Sequence, residues 1–328
     1  MRSSGAEAPH APTTGRLSRL LGPFHVTGPF WYRLHLFGMK ILPWWMVGLV
    51  IHLFTAFFFC TLIRIRRAIA SNLDAAIGPA DWWERQRRIH RTMLALAWSL
   101  SERYEWLAGK TRTDAEVDNL AAWRAVAGTD RGLIVVTAHV GNWEIGSALP
   151  ARRERRRIHL VREEELDPRA QRFIRQLLSR QTDDRYTTHF ATGDPRLGIL
   201  LREALERGDV VALQGDRPRA GGKVLEVSLF GRPFRVPVGP FALARVAEVP
   251  LLPVFMLREG RTRYRVHFRQ PIRVARSSDR ERDHRSAAER FAAEIEWAIS
   301  AAPHQWFCFN ELWPGSPTGR PARSRRTC

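Results

Sequence analysis

His139 and Glu144 bracket the stretch best suited to proton chemistry, Val135-Val136-Thr137-Ala138-His139-Val140-Gly141-Asn142-Trp143-Glu144. Imidazole is the side chain whose charge changes nearest neutral pH. A carboxylate beside it fixes its tautomer and stabilises the imidazolium that forms when it takes a proton. Inside one α-helix, residues five apart project about 140° from each other at about 3.6 residues per turn. The pair can therefore meet only if His139 lies on a loop and Glu144 in the first turn of a following helix. The sequence offers that arrangement. Gly132 to Val136 is the short β-branched run of a buried strand, Gly141-Asn142 interrupts it, and Trp143-Glu144-Ile145 restarts as a helix. On residue types alone, a histidine at a strand end is more often a hydrogen-bonded structural residue than a base.

The elements that would position this corner alternate along the chain. Strands are expected over Arg157–Arg162, Asp209–Gln214, Val224–Phe230, Leu251–Leu257 and Tyr264–Phe268. Helices are expected over Asp81–Leu107, Thr113–Ala127 with Asp114 as its cap, Asp167–Gln181, Pro195–Arg207, Gly239–Val246 and Asp283–Ile299. Strand and helix in turn predict an α/β fold, with a mixed, mostly parallel central sheet covered by helices. Ligands of such sheets collect at the carboxyl ends of the strands, and His139, Arg162 and Asp216 all fall at that edge.

Ahead of this region, Ile41 to Ile63 is a run of 23 residues without Asp, Glu, Lys or Arg. At about 1.5 Å per residue, one helix of that length spans about 34 Å, enough for a hydrocarbon core of about 30 Å. It reads as an N-terminal membrane-anchor helix, with Trp44-Trp45 at one end; Pro43 and His52 leave a re-entrant or interfacial helix open. Arg64, Arg66 and Arg67 follow at once, which keeps the C-terminal side in the cytoplasm if the helix spans. The chain then divides into a disordered N-terminus over 1–22, an anchor and basic juxtamembrane segment over 23–78, a globular domain over 79–313 and a disordered basic tail over 314–328.

A net charge of +19, carried almost wholly by Arg, implies an anionic partner: a phospholipid surface, a phosphorylated substrate or carrier, or nucleic acid. Abundant Arg is equally the mark of a composition bias. Cys60, Cys308 and Cys328 have neither paired nor metal-ligand spacing, which suits a reducing compartment and no structural zinc. Gly221-Gly222-Lys223 lacks the spacing of a phosphate-binding loop.

His139-Val140-Gly141-Asn142-Trp143-Glu144 resembles the His-x4-Asp/Glu motif of the glycerolipid and lipid A acyltransferases. Its Gly-Asn-Trp-Glu filling is similar to the lipid A late (lauroyl/myristoyl) branch, and the similarity runs from about Trp31 to Trp313. Arg66 to Asn72, Gln214-Gly215-Asp216-Arg217-Pro218, Phe230 to Phe234, Val236 to Pro240, Val249 to Val254 and Gln305-Trp306-Phe307 also resemble blocks of that family. The resemblance implies a glycerolipid acyltransferase-like fold with no cofactor and no metal. It also implies transfer of a fatty acyl group from an acyl carrier protein or coenzyme A thioester to a lipid acceptor at the bacterial inner membrane, on the cytoplasmic side. His139 would be the base and Glu144 its orienting partner. Arg162 would act on substrate phosphate or the oxyanion, although a surface pairing with Glu163 to Glu165 also accounts for it. Asp216 would order its loop or place the acceptor, Arg217 would bind phosphate, and Asn142 would contact substrate or oxyanion. No Gly-x-Ser-x-Gly elbow is present and no Ser or Cys adjoins His139, so direct transfer without an acyl-enzyme is expected.

Two other readings compete. A basic, membrane-tethered protein could hold anionic lipid or nucleic acid without catalysis, but no recognition motif is present and aromatic residues do not interleave with the Arg clusters, so no nucleic-acid partner is expected. An acyltransferase fold that has lost its activity is disfavoured by the intact His-x4-Glu.

Overall fold

The computed structural model describes residues 37–38, 41–107, 113–143, 156–163, 171–172, 186–191, 194, 196–219 and 221–314. The expected disorder over 1–22 and in the terminal tail lies outside them, as does most of the helix expected over 167–181. The chain opens with helices α1 (Trp44–Thr61), α2 (Ile63–Ile77) and α3 (Trp82–Leu107), then strand β1 (Asp114–Asp118), helix α4 (Leu120–Ala127) and strand β2 (Leu133–Thr137). Next come β3 (Ile158–Arg162), β4 (Tyr186–Phe190), α5 (Arg196–Glu206), β5 (Val210–Gln214), β6 (Val224–Leu229), β7 (Arg232–Pro237) and α6 (Gly239–Ala247). Strands β8 (Leu251–Gly260) and β9 (Arg263–Phe268), helix α7 (Arg280–Ala301) and a 3-10 turn at Pro303–Gln305 complete the described elements.

Seven strands form one sheet in the order β1-β9-β8-β2-β5-β3-β4. Strands β8, β2, β5, β3 and β4 run parallel; β9 is antiparallel to β8, and β1 pairs with β9 in parallel. Strands β6 and β7 make a separate antiparallel hairpin. Strand β2 lies at the centre. Its Ile134 and Val136 enter one apolar core with residues of α2, α3, α5, α6, α7 and the hairpin. Its Leu133 and Val135 enter a second with α4. A strand buried on both faces must be apolar at every position, and Leu133 to Val136 satisfies that requirement.

Two sequence expectations change. Asp114 to Asp118 is an edge strand of the sheet, and only Leu120 to Ala127 of the expected helix forms. The pairing with β9 outweighs the helical leaning of Asp-Ala-Glu-Val-Asp, and the exposed edge accommodates its carboxylates. The apolar run from Ile41 to Ile63 is not one straight helix. Pro43 stands extended ahead of α1, and Leu62 leaves the helical region at φ −91°, ψ 63°. Helix α1 therefore has 18 residues, about 27 Å. Among the described residues no single helix is long and apolar enough to cross a membrane; Trp45–Thr61 and Ile63–Ile77 meet the requirement of length and composition only as a pair bent by 91°. Val47, Ile51 and Thr55 bury one face of α1, while Trp45, Leu49, Leu53 and Phe57 form the opposite, exposed row.

Helix α2 is fastened to the end of the domain by Asn72, which is 1 % exposed. Its Nδ2 donates to the carbonyls of Cys308 (3.3 Å) and Asn310 (2.9 Å), and its Oδ1 accepts from the Leu312 amide (3.1 Å). Asn72→Ala strands three backbone groups at once, and each unsatisfied buried group costs about 1–3 kcal/mol. Some rescue by water is expected, so the loss should be about 2–4 kcal/mol, read as a lowered denaturant midpoint with an unchanged slope.

Candidate functional site

Strands β2 and β5 are parallel neighbours, and their last residues, Thr137 and Gln214, are partners. The Gly215 amide continues the ladder by donating to the Thr137 carbonyl at 2.8 Å. Two residues beyond each strand end stand His139 and Asp216, so the register delivers both side chains to one point on the carboxyl edge. Glycine is required at 215, because a Cβ there would lie 2.8 Å from Phe291 of α7 and from Val136.

The Asp216 carboxylate holds His139 twice. Its Oδ2 accepts from the His139 amide at 2.9 Å, and its Oδ1 lies 2.8 Å from the ring Nδ1. A carboxylate at Nδ1 keeps the proton there and leaves Nε2 with the lone pair, the tautomer a general base needs. The ring remains 16 % exposed, whereas Asp216 is buried. Burial pushes the Asp216 carboxyl upward, but the His139 imidazolium, the hydrogen bond to its ring and the neighbouring Arg217 outweigh it and hold the group below the ordinary value of 3.8.

The rest of the loop is fixed from behind. The Phe307 amide donates to the His139 carbonyl (3.0 Å), the Gly141 amide to the Gln305 carbonyl (2.9 Å) and the Asn142 amide to the Met256 carbonyl (2.8 Å). Gly141 has φ +69°, and a Cβ there would collide with the Met256 carbonyl, so this position requires glycine on two counts. The Trp143 ring lies 4.7 Å from that of His139 and 6.4 Å from Phe307.

The structure thus brings His139 and Asp216 together. Arg162 ends β3, on the far side of β5 from β2. Arg217 donates to the Phe307 carbonyl, which binds the loop after β5 to the closing segment. Asn142, expected at the substrate, is instead buried: its Nδ2 donates to the Ser99 carbonyl (3.1 Å) and to the Tyr264 hydroxyl (3.0 Å). Glu144 lies outside the described residues. Asp216 was expected at this edge but not as the imidazole partner; the signal that identifies it is the matched ends of β2 and β5, which only the strand order reveals. Among the described residues no group of three or more His, Cys, Asp or Glu could hold a metal ion.

A family model described as bacterial lipid A biosynthesis acyltransferase matches residues 23–314. No curated protein matches the sequence. Among solved structures, the chain is similar to the 1-acyl-sn-glycerophosphate acyltransferase PlsC from Thermotoga maritima at 14% identity, over 77% of this chain and 96% of that one, with a TM-score of 0.34.

The lowered Asp216 value fixes the sign of a pH effect. Its ionised form contributes stability in full above the ordinary carboxylate value of 3.8, and the contribution is lost as pH falls through the lower folded value. Thermal unfolding of the wild type and Asp216→Asn across acid pH should therefore show a gap in favour of the wild type above that value, closing below it.

Proposed function

The chain belongs to the bacterial lipid A biosynthesis acyltransferase family, and on that premise we propose that it moves a fatty acyl group from an acyl carrier protein or coenzyme A thioester to a hydroxyl of a lipid A-type acceptor. The contact between His139 and Asp216 at the carboxyl edge of the sheet carries the reading. Nε2 of His139 removes the acceptor hydroxyl proton as the oxygen attacks the thioester carbonyl. Asp216 stabilises the imidazolium that results, and the proton passes to the departing thiolate as the tetrahedral intermediate collapses. Arg162 and Arg217 serve the phosphates of donor or acceptor.

The reaction takes place on the cytoplasmic face of the inner membrane, with α1 lying in one leaflet rather than across the bilayer. The exposed row Trp45, Leu49, Leu53 and Phe57 supports this, as do exposed Ile63 on α2 and Trp82 and Trp83 at the start of α3. Exposed Arg64 and Arg67, which follow α1 in the sequence, and exposed Arg87 of α3 suit anionic head groups.

The reaction is tested by incubating purified protein with acyl thioesters of both carriers and total bacterial lipid, then identifying the product by mass spectrometry. An acylated lipid A-type product is expected; an acylated lysophospholipid, mannoside or polyene lipid would reassign the acceptor, and no acylated lipid would reject the reaction. His139→Ala should lower the rate by about 10²–10⁴ while remaining folded. For the membrane, Leu53→Glu with Phe57→Glu should weaken flotation with anionic phospholipid vesicles by about tenfold or more, since each large apolar side chain contributes about 1.5–3 kcal/mol when buried.

A further inference from the structure

Behind the His139 loop, buried polar groups close into a ring. Asn142 donates from Nδ2 to the Tyr264 hydroxyl at 3.0 Å, and that hydroxyl donates to Oε2 of Glu102 on α3. Oε1 of Glu102 accepts from Nε of Arg258 at 2.9 Å and from the Thr262 amide at 3.3 Å. The Arg258 backbone exchanges two bonds with the Gln305 side chain: its amide donates to Oε1 (2.8 Å) and its carbonyl accepts from Nε2 (2.9 Å). The Gln305 carbonyl accepts from the Gly141 amide, which returns the ring to the loop. Asn142, Glu102, Tyr264 and Gln305 are each less than 5 % exposed.

Every member has one possible role. The Asn142 amide nitrogen only donates, so the Tyr264 oxygen must accept and its proton must go to Glu102. Burial, and then the charge of Glu102, push the Tyr264 hydroxyl far up, so this polarity holds throughout the working range of pH. An ion pair such as Glu102 with Arg258 is a poor source of stability, because desolvation offsets attraction, but it does select one geometry. The ring draws its side chains from α3, β8, β9 and the 3-10 turn at Pro303–Gln305, and the groups it orients are Gly141 and Asn142 of the loop that carries His139.

We propose that Tyr264 and Glu102 are positioning residues for acyl transfer, holding Asn142 so that the loop keeps the His139 imidazole at the place where it takes the acceptor proton. The proposal rests on the reading of His139 as the base. Tyr264→Phe keeps the ring in its packed site but removes both the acceptor for Asn142 and the donor to Glu102. A displacement of about 1 Å at a reacting group can cost about 10²-fold, so kcat should fall by about 10- to 100-fold. KM should stay within about twofold, because Tyr264 is buried.

The test uses the full-length protein with lauroyl thioesters of coenzyme A and acyl carrier protein plus total bacterial lipid. It compares wild type, Tyr264→Phe, Glu102→Gln, the double variant and His139→Ala, with circular dichroism to establish folding. Groups acting in series predict that the double variant is no slower than the slower single one. A folded Tyr264→Phe with wild-type kcat, or with a raised KM and unchanged kcat, overturns the proposal; should that variant not fold, Glu102→Gln is read the same way. An inactive His139→Ala beside a fully active Tyr264→Phe rejects the positioning role alone. Near-native turnover by His139→Ala rejects the base assignment and the proposal with it.

Discussion

The parallel pairing of β2 with β5 is the constraint on which the site depends. Parallel neighbours in register end at the same edge, so a residue two beyond Thr137 and one two beyond Gln214 must face each other. A shift by one residue would turn Ile134 and Val136 to the other face of the sheet and part His139 from Asp216 in the same step. Core and site are therefore fixed by one register. The apolar alternation that stabilises the fold, Leu133 and Val135 on one side and Ile134 and Val136 on the other, also aims the imidazole.

How much of this the sequence discloses depends on whether the signal is local. Leu133 to Thr137, Val210 to Gln214 and Leu251 to Leu257 are legible because a doubly buried strand has to be a continuous apolar run. Helix α7 is legible from Phe291, Ile295 and Ile299 on one face, and Asp279 caps it by accepting from the Arg282 amide at 3.0 Å. Strand β1 is not legible, since its exposed carboxylates match a helix as well as an edge strand and only the partner β9 decides. The composition of α1 reads correctly as apolar, but its break at Leu62 carries no Gly or Pro to announce it. The site divides in the same way. The His139 corner is written in one contiguous motif, whereas Asp216, Tyr264, Glu102 and Gln305 reach it from segments up to 166 residues away, and no local pattern records that meeting.

The segment from Gln305 to Trp313 shows how a stretch with no regular strand or helix beyond its opening turn can still be decisive. It lies between the loop that carries His139 and α2, giving its Phe307 amide to His139 and its Cys308 and Asn310 carbonyls to Asn72. Arg217 ties the same segment to the loop that carries Asp216, and the Trp313 indole fastens it to Pro233 of the hairpin at 2.8 Å. Its backbone groups find partners both in side chains of distant segments and in the backbone of the loop that carries His139, so its conformation is as determined as that of a strand.

Helix α3 joins this arrangement to the apolar row of α1. Trp98 of α3 packs within 3.9 Å of a Cβ built at Gly48, meets the His52 ring edge-on at 6.5 Å, and lies under the Arg258 guanidinium at 5.2 Å. One residue on, the Ser99 carbonyl accepts from Asn142, and one turn from Trp98 stands Glu102. A helix is stiff over such a distance, so the surface that exposes Trp45, Leu49, Leu53 and Phe57 and the loop that carries His139 are held by neighbouring residues of one rod. If that surface enters lipid, the edge that carries His139 and Asp216 has a fixed height and tilt above the bilayer. The rigidity that the buried ring gives to the loop is then also rigidity relative to the membrane plane. A flexible link in place of Trp98 would lose that orientation even with His139 and Asp216 still paired.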